Sequence, residues 1–193
     1  GGNYTCVMIG DPAASFFASA YNKGIRNYDV QKAYEGLYKN AFLGGIRDRA
    51  GYEIGGNPKG GGMFYYLERG YVPEGIEGKG MHLDGASMTL EYAYQDWCVG
   101  QLAKALGKNS DFEMFNKRAE NYKNLWNPQT QFMHPRNIDG SWIANFKPIG
   151  ESFNSPGFCE SNSAIYTNFV PHDLAGLIKL VGSKEKYTQY LDS

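Results

Sequence analysis

At 193 residues the chain is long enough to bury a substantial core as one domain. Nineteen basic residues against twenty acidic ones give a formal net charge of −1, so nothing in the balance points to nucleic acid or an anionic membrane as a partner. No apolar stretch reaches the length of a bilayer span. Three scattered cysteines (Cys6, Cys98, Cys159), with no CxxC pair and no histidine at ligand spacing, argue against a structural zinc site. What stands out is fifteen Tyr, eleven Phe and three Trp beside twenty-five Gly. That composition suits either a concave surface that stacks on sugar rings or a helical core filled by large side chains.

In chain order, Tyr4–Ile9 reads as a short strand or buried lead-in. Asp11-Pro12 has the form of a helix cap followed by proline at the first helical position. Ala13 to Lys23 is a small-and-aromatic helix stopped by Gly24. Asp29 caps a second helix, with Val30, Ala33, Tyr34, Leu37 and Tyr38 at helical spacing. Glycines then break the pattern from Gly44 to Gly80, although Met63–Leu67 could be a strand. Gly60-Gly61-Gly62 lacks the framework of a phosphate-binding loop. Gly85 to Leu106 is the strongest helix, apolar nearly all round and therefore expected to be buried on more than one side. Its Glu91, Gln95 and Asp96 then need partners. Gly107 ends it, and Ser110 or Asp111 caps the next helix, which runs through Phe115 and Tyr122 to Leu125.

A second irregular region runs from Asn127 to Gly157. Asp139-Gly140, between Met133–Ile138 and Ser141–Ala144, signals a hairpin. It gathers His134, Arg136 and Trp142, as a ligand platform or as a surface turn with a packed Trp. Then comes Phe158–Asp173, FCESNSAIYTNFVPHD. Glu160 stands just before an apolar run (Ala164 to Val181) that reads as a helix, with Ser161, Asn162 and Ser163 as capping candidates and Pro171 as a kink or true start. A carboxylate there can be ordinary dipole complementation or the chemical group of a cleft. Gly182 and Ser183-Lys184-Glu185 begin the last helix. Helix pairs separated by long loops, with no alternating strands, predict an all-α fold: half of an (α/α)6 barrel with long rim loops and a small β-hairpin. The chain opens without an initiator methionine and closes inside a helical pattern, so it reads as a piece of a longer protein.

Four blocks resemble glycoside hydrolase family 92, the bacterial exo-acting α-mannosidases. They are Met8–Ala41 (MIGDPAASFFASAYNKGIRNYDVQKAYEGLYKNA), Ser87–Lys108 (SMTLEYAYQDWCVGQLAKALGK), Phe115–Trp142, and Gly157–Tyr187 with its VPHD. The resemblance implies the central part of a catalytic (α/α)6 barrel, with an N-terminal β-sandwich and the end of the barrel outside residues 1–193. It implies calcium-dependent, inverting hydrolysis of α-linked mannose from non-reducing ends of glycans, in a periplasmic, cell-surface or secreted bacterial protein. It places the general acid on Glu160, whose site should then raise its pKa, with Phe158, Tyr166 and Phe169 as apolar surroundings. His134, Arg136, Trp142 and Tyr166 are the candidate substrate contacts. Calcium ligands are open, with Asp11, Glu160 and Asp173 candidates by type alone. His172 reads as a structural residue and Asp96 as a satisfied core group. The base that activates water lies outside the chain, so the isolated piece is expected to be inactive. Two departures from the family pattern, GDPA for GDHA and ESNSAIYTNF for EGNAWQYTW, bear on linkage preference. Another (α/α)-barrel glycosidase and a non-catalytic glycan-binding module are the competing readings.

Overall fold

The computed structural model describes residues 7–49, 61–76, 84–150 and 155–192. The expected Tyr4–Ile9 strand falls mostly outside them, and residues 7–9 have no regular structure. Helix α1 spans Ala13–Asn22 and α2 Val30–Asn40. Asp29 caps α2 as its sequence predicts, accepting from the Lys32 N–H at 2.9 Å. The cap expected from Asp11 does not form. Pro12 already has helical dihedrals, so the backbone alone starts α1. Asp11 turns inward instead and accepts from Asn40 Nδ2 at 3.0 Å.

Two short helices follow, α3 (Ile46–Arg49) and α4 (Met63–Arg69). The second replaces the strand expected at Met63–Leu67. Gly62 and Gly70 bracket it in left-handed conformations, and Met63 and Tyr66, three residues apart, bury one helical face. A short apolar run of this kind carries no decisive period, and packing settles it.

Helix α5 (Gly85–Ala105) is the axis of the fold. Its residues enter three hydrophobic clusters: Cys98, Val99, Leu102 and Ala103 with α1 and α2, Ala86, Leu90 and Ala93 with the C-terminal half, and Met88 and Tyr92 with α4. That is why no polar face is visible in its sequence. Helix α6 (Asn109–Arg118) packs antiparallel along it and tightens into a 3-10 helix, Ala119–Leu125. Neither Ser110 nor Asp111 caps α6. Lys108 holds that position without a side-chain bond, and Asp111 accepts from the Tyr34 hydroxyl of α2 at 2.7 Å.

Strands β1 (Trp126–Asn127) and β2 (Phe132–Met133) pair antiparallel, a hairpin the sequence did not announce. The Asp139-Gly140 turn forms, with Gly140 at positive φ, but its flanks pair only through the Arg136–Trp142 bridge. The apolar run 164–181 is two helices rather than one, α7 (Ser163–Tyr166) and α8 (Leu174–Val181). Pro171 cannot donate to a helix, and Asp173 takes the cap of α8 by accepting from the Gly176 N–H at 2.9 Å. His172 therefore precedes the first turn. Ser183 caps α9 (Lys184–Leu191). The pairs α1–α2, α5–α6 and α8–α9 realise the expected all-α layout. Among the described residues no helix is long and apolar enough to cross a membrane.

Candidate active site

The Glu160 loop is held by the start of α5. The Cys159 N–H donates to Ser87 Oγ at 2.9 Å, and the Ser87 N–H donates to the Gly157 carbonyl at 3.1 Å. Gly157 sits at φ 83°, and a Cβ there would fall 2.3 Å from Pro135 Cγ, so the loop can lie this close to the hairpin only with glycine. Phe158 then plugs the core at 1% exposure, burial worth about 2–3 kcal/mol. On the far side Asn162 caps α7, accepting from the Ile165 N–H at 3.1 Å, while the Ser163 hydroxyl donates to the Met133 carbonyl. Between these anchors Glu160 takes φ 53°, a left-handed conformation costly for a residue with a Cβ. Strain of that kind persists only where the surroundings dictate it, and here it turns the exposed Glu160 side chain outward from buried Cys159.

The loop and α7 line one side of a cleft of about 460 Å³, and Glu160, Tyr166 and Phe169 all border it. A second carboxylate, Glu91 of α5, lines the same cleft. Glu91 is half-buried. Loss of solvation pushes its pKa up from 4.5 to about 7, opposed by the Gln95 hydrogen bond and by the positive charge of Arg47. Gln95 Nε2 donates to Glu91 Oε2 at 3.0 Å. Ser87 and Glu91 lie one helical turn apart, so the residue that clamps the loop and the residue that faces it share one stripe of α5. Burial also raises the Cys159 thiol to about 11, which keeps it neutral.

The substrate contacts expected from sequence divide. Tyr166 lines the cleft beside Glu160. His134, Arg136 and Trp142 cluster on the hairpin and do not line it. His134 is buried, with Nδ1 against Asn127 Nδ2 at 3.0 Å, Nε2 against the Ile143 carbonyl at 3.1 Å, and its ring stacked on Phe146. Arg136 donates to the Gly140 carbonyl from Nε and Nη2 and to the Asn124 carbonyl from Nη1, with its guanidinium over the Trp142 ring. These polar groups are engaged in closing the turn, so the trio has the geometry of a packed hairpin tip.

Asp96 is a core group, as expected. It accepts from Arg47 at 2.6 Å, Tyr66 at 2.9 Å and Arg118 at 2.8 and 3.0 Å, joining α3, α4 and α6 to α5. His172 bonds the Ala119 carbonyl at 2.9 Å and stacks on Tyr94. The three calcium candidates are not brought together. Asp11 serves Asn40, Asp173 serves Gly176 and Tyr122, and Glu160 stands at the cleft. Among the described residues no three His, Cys, Asp or Glu side chains converge as a cation cage. These residues do not fit a calcium site by themselves.

Glu91 is the cleft-lining carboxylate that sequence reading did not single out. The available signal was its charge on a helix otherwise apolar all round, and what remained hidden was the approach of a loop 69 positions later.

The family model of the glycosyl hydrolase family 92 catalytic domain matches residues 1–193. An uncharacterized secreted glycosidase of Arthroderma benhamiae is 34% identical over 96% of this chain and 26% of its own length. An inverting family 92 mannosidase from Bacteroides thetaiotaomicron superposes with a TM-score of 0.82 at 31% identity, over 100% of this chain and 24% of that one. A second family 92 α-mannosidase from the same bacterium, bound to mannoimidazole, gives 0.80 at 33% identity over 99% and 23%. The chain thus spans about a quarter of the length of the relatives it matches.

Proposed function

The chain belongs to glycosyl hydrolase family 92, and from that membership we propose that it forms part of an inverting α-mannosidase that removes mannose from the non-reducing ends of glycans. The observation that carries this reading is the cleft with two carboxylates, one of them raised to about pH 7. Inverting hydrolysis needs one carboxylic acid to protonate the glycosidic oxygen, and a carboxylate on the opposite face to activate water. The family resemblance puts this acid on Glu160, at the rim of the cleft on a strained backbone. Glu91 of α5, whose pKa burial raises to about 7, borders the same cleft. Tyr166 supplies a wall for the ring. The base is assigned outside residues 1–193, so this stretch alone is expected to release no mannose. A second reading gives the proton to Glu91, which desolvation keeps protonated up to about pH 7.

A calcium requirement belongs to the same proposal. Its ligands are assigned beyond the described residues, and the ion's contribution would be oxygen coordination of sugar hydroxyls. Export from the cell is proposed by analogy with the secreted Arthroderma relative.

The test is mannose release by the full-length protein, with Glu91→Gln and Glu160→Gln in parallel. Substrates carrying a leaving group that needs no proton separate the roles. Loss of the acid abolishes turnover of mannobiose and spares an activated aryl mannoside, whereas loss of a sugar contact weakens mannobiose binding. Chelation followed by calcium restoration tests the metal. Full mannobiose turnover in both variants would sink the cleft as the site.

A further inference from the structure

We propose that Ser87 is a positioning residue for the proton donor, its buried hydroxyl fixing the backbone from which the Glu160 carboxyl projects; this rests on the reading of Glu160 as the acid. Ser87 lies in the first turn of α5 and is 0% exposed. Its N–H has no partner within the helix and donates instead to the Gly157 carbonyl at 3.1 Å. Its Oγ accepts from the N–H of Cys159, the residue before Glu160, at 2.9 Å. The hydroxyl proton is left for a second bond, and the Tyr166 phenol takes it. Tyr166 is itself packed against the rings of Phe158 and Phe169, so it directs the hydroxyl rather than depending on it. Asp84 adds a further hold: it stands at the cap position of α5 without capping, and its carboxylate meets the Cys159 thiol.

The rest of the loop is closed on itself. The Ser155 N–H donates to the Ser161 carbonyl at 3.0 Å, and the Phe158 N–H donates to the Ser155 carbonyl at 2.8 Å. Glu160 is therefore gripped through the residue on either side of it, and its φ of 53° is held between the two grips. Without the Ser87 hydroxyl the backbone bond to Gly157 survives, but the Cys159 N–H loses its partner and the restraint beside Glu160 goes with it. The backbone of Glu160 is then free to leave the left-handed region, which is costly for a residue with a Cβ, and to carry the carboxyl away from the glycosidic oxygen. What is lost is proton delivery, which depends on hydrogen-bond reach, and not the walls of the cleft.

The experiment measures kcat and KM of the full-length enzyme on mannobiose and on an activated aryl mannoside, for wild type, Ser87→Ala, Glu160→Gln and the double variant. Ser87→Ala should lower kcat on mannobiose at least about tenfold with KM within about twofold. Turnover of the aryl mannoside, whose leaving group needs no proton, should stay within about twofold of wild type. In the Glu160→Gln background the same change should cost nothing further on mannobiose, because Ser87 acts through that carboxyl. Equal losses on both substrates, or a full loss retained in the Glu160→Gln background, would overturn the proposal and leave Ser87 a structural clamp. Wild-type mannobiose turnover in folded Ser87→Ala would overturn it as well. Ser87→Cys, which keeps the shape and puts a weak acceptor in place of the hydroxyl, decides the matter if Ser87→Ala does not fold. Wild-type mannobiose turnover in Glu160→Gln would instead locate the failure in the assignment of the acid.

Discussion

Replacing Glu91 with glutamine should stabilise the protein, and only above a defined pH. In the unfolded chain the carboxyl titrates near 4.5, and in the folded protein near 7. Below pH 4.5 both states are protonated and the group contributes nothing to the balance. Between 4.5 and 7 the folded state holds a proton that the unfolded state has released, so stability falls as pH rises. Above 7 the cost of keeping an ionised carboxylate in this half-buried position is fully present. A displacement from 4.5 to about 7 corresponds to about 3 kcal/mol. Glutamine has nearly the same volume, carries no charge, and can still accept from Gln95 Nε2. Thermal melts of the full-length wild type and Glu91→Gln at pH 4 and pH 8 measure this directly. The melting temperature of Glu91→Gln is expected above that of the wild type at pH 8 and equal to it at pH 4. A difference between the two proteins that is the same at both pH values would refute the claim that desolvation holds Glu91 near neutrality. Glu91 borders the cleft, so the same substitution is expected to reduce mannobiose turnover, with stability gained where activity is lost.

Asp96→Asn should be among the most damaging single changes in the core. It leaves Arg47 buried at 0% exposure with its charge uncompensated, and Arg47 Nε and Nη2 already have no partner among the described residues; a loss of about 3–5 kcal/mol is expected, read by urea denaturation. Gly157→Ala should cost about 1–3 kcal/mol and reduce turnover, because it forces a Cβ into Pro135 at positive φ; wild-type melting and activity would contradict the account of the loop. Cys98 and Cys159, both raised to about 11 and buried, should resist alkylation at pH 7.5 in the folded protein and react once it is unfolded, as mass spectrometry would record.

What could be read from sequence was local. Asp29 and Ser183 announce their caps, Asp139-Gly140 its turn, and the unbroken apolar surface of Gly85–Leu106 its burial in several directions. The misreadings occur where packing chooses between local options. Met63–Leu67 has no period long enough to separate strand from helix, and the glycines on either side decided it. Asp11 and Asp111 have the composition of caps, but Asn40 and Tyr34 offered them buried partners. The 164–181 run was legible as two segments only through Pro171. At the cleft, Glu160 stood out through the family resemblance, since its place before a helix is equally that of an ordinary dipole-complementing carboxylate. Glu91 did not, because its environment is assembled from residues 158–169 and from Arg47, none of them near it in the chain.

The Ser87 clamp has a geometric consequence. Four residues of α5, just over one turn, separate the point where the loop is fastened from Glu91, a rise of about 6 Å. The gap between Glu91 and Glu160 is thus gauged against one rigid ruler, indifferent to how far apart the rest of the chain carries them. Lengthening the hairpin would leave that gauge unaltered. One residue added between Ser87 and Glu91 would swing the carboxylate about 100° around the helix and out of the cleft. Variation in substrate range can therefore accumulate in the loops, while the five positions from 87 to 91 do not tolerate a change of length.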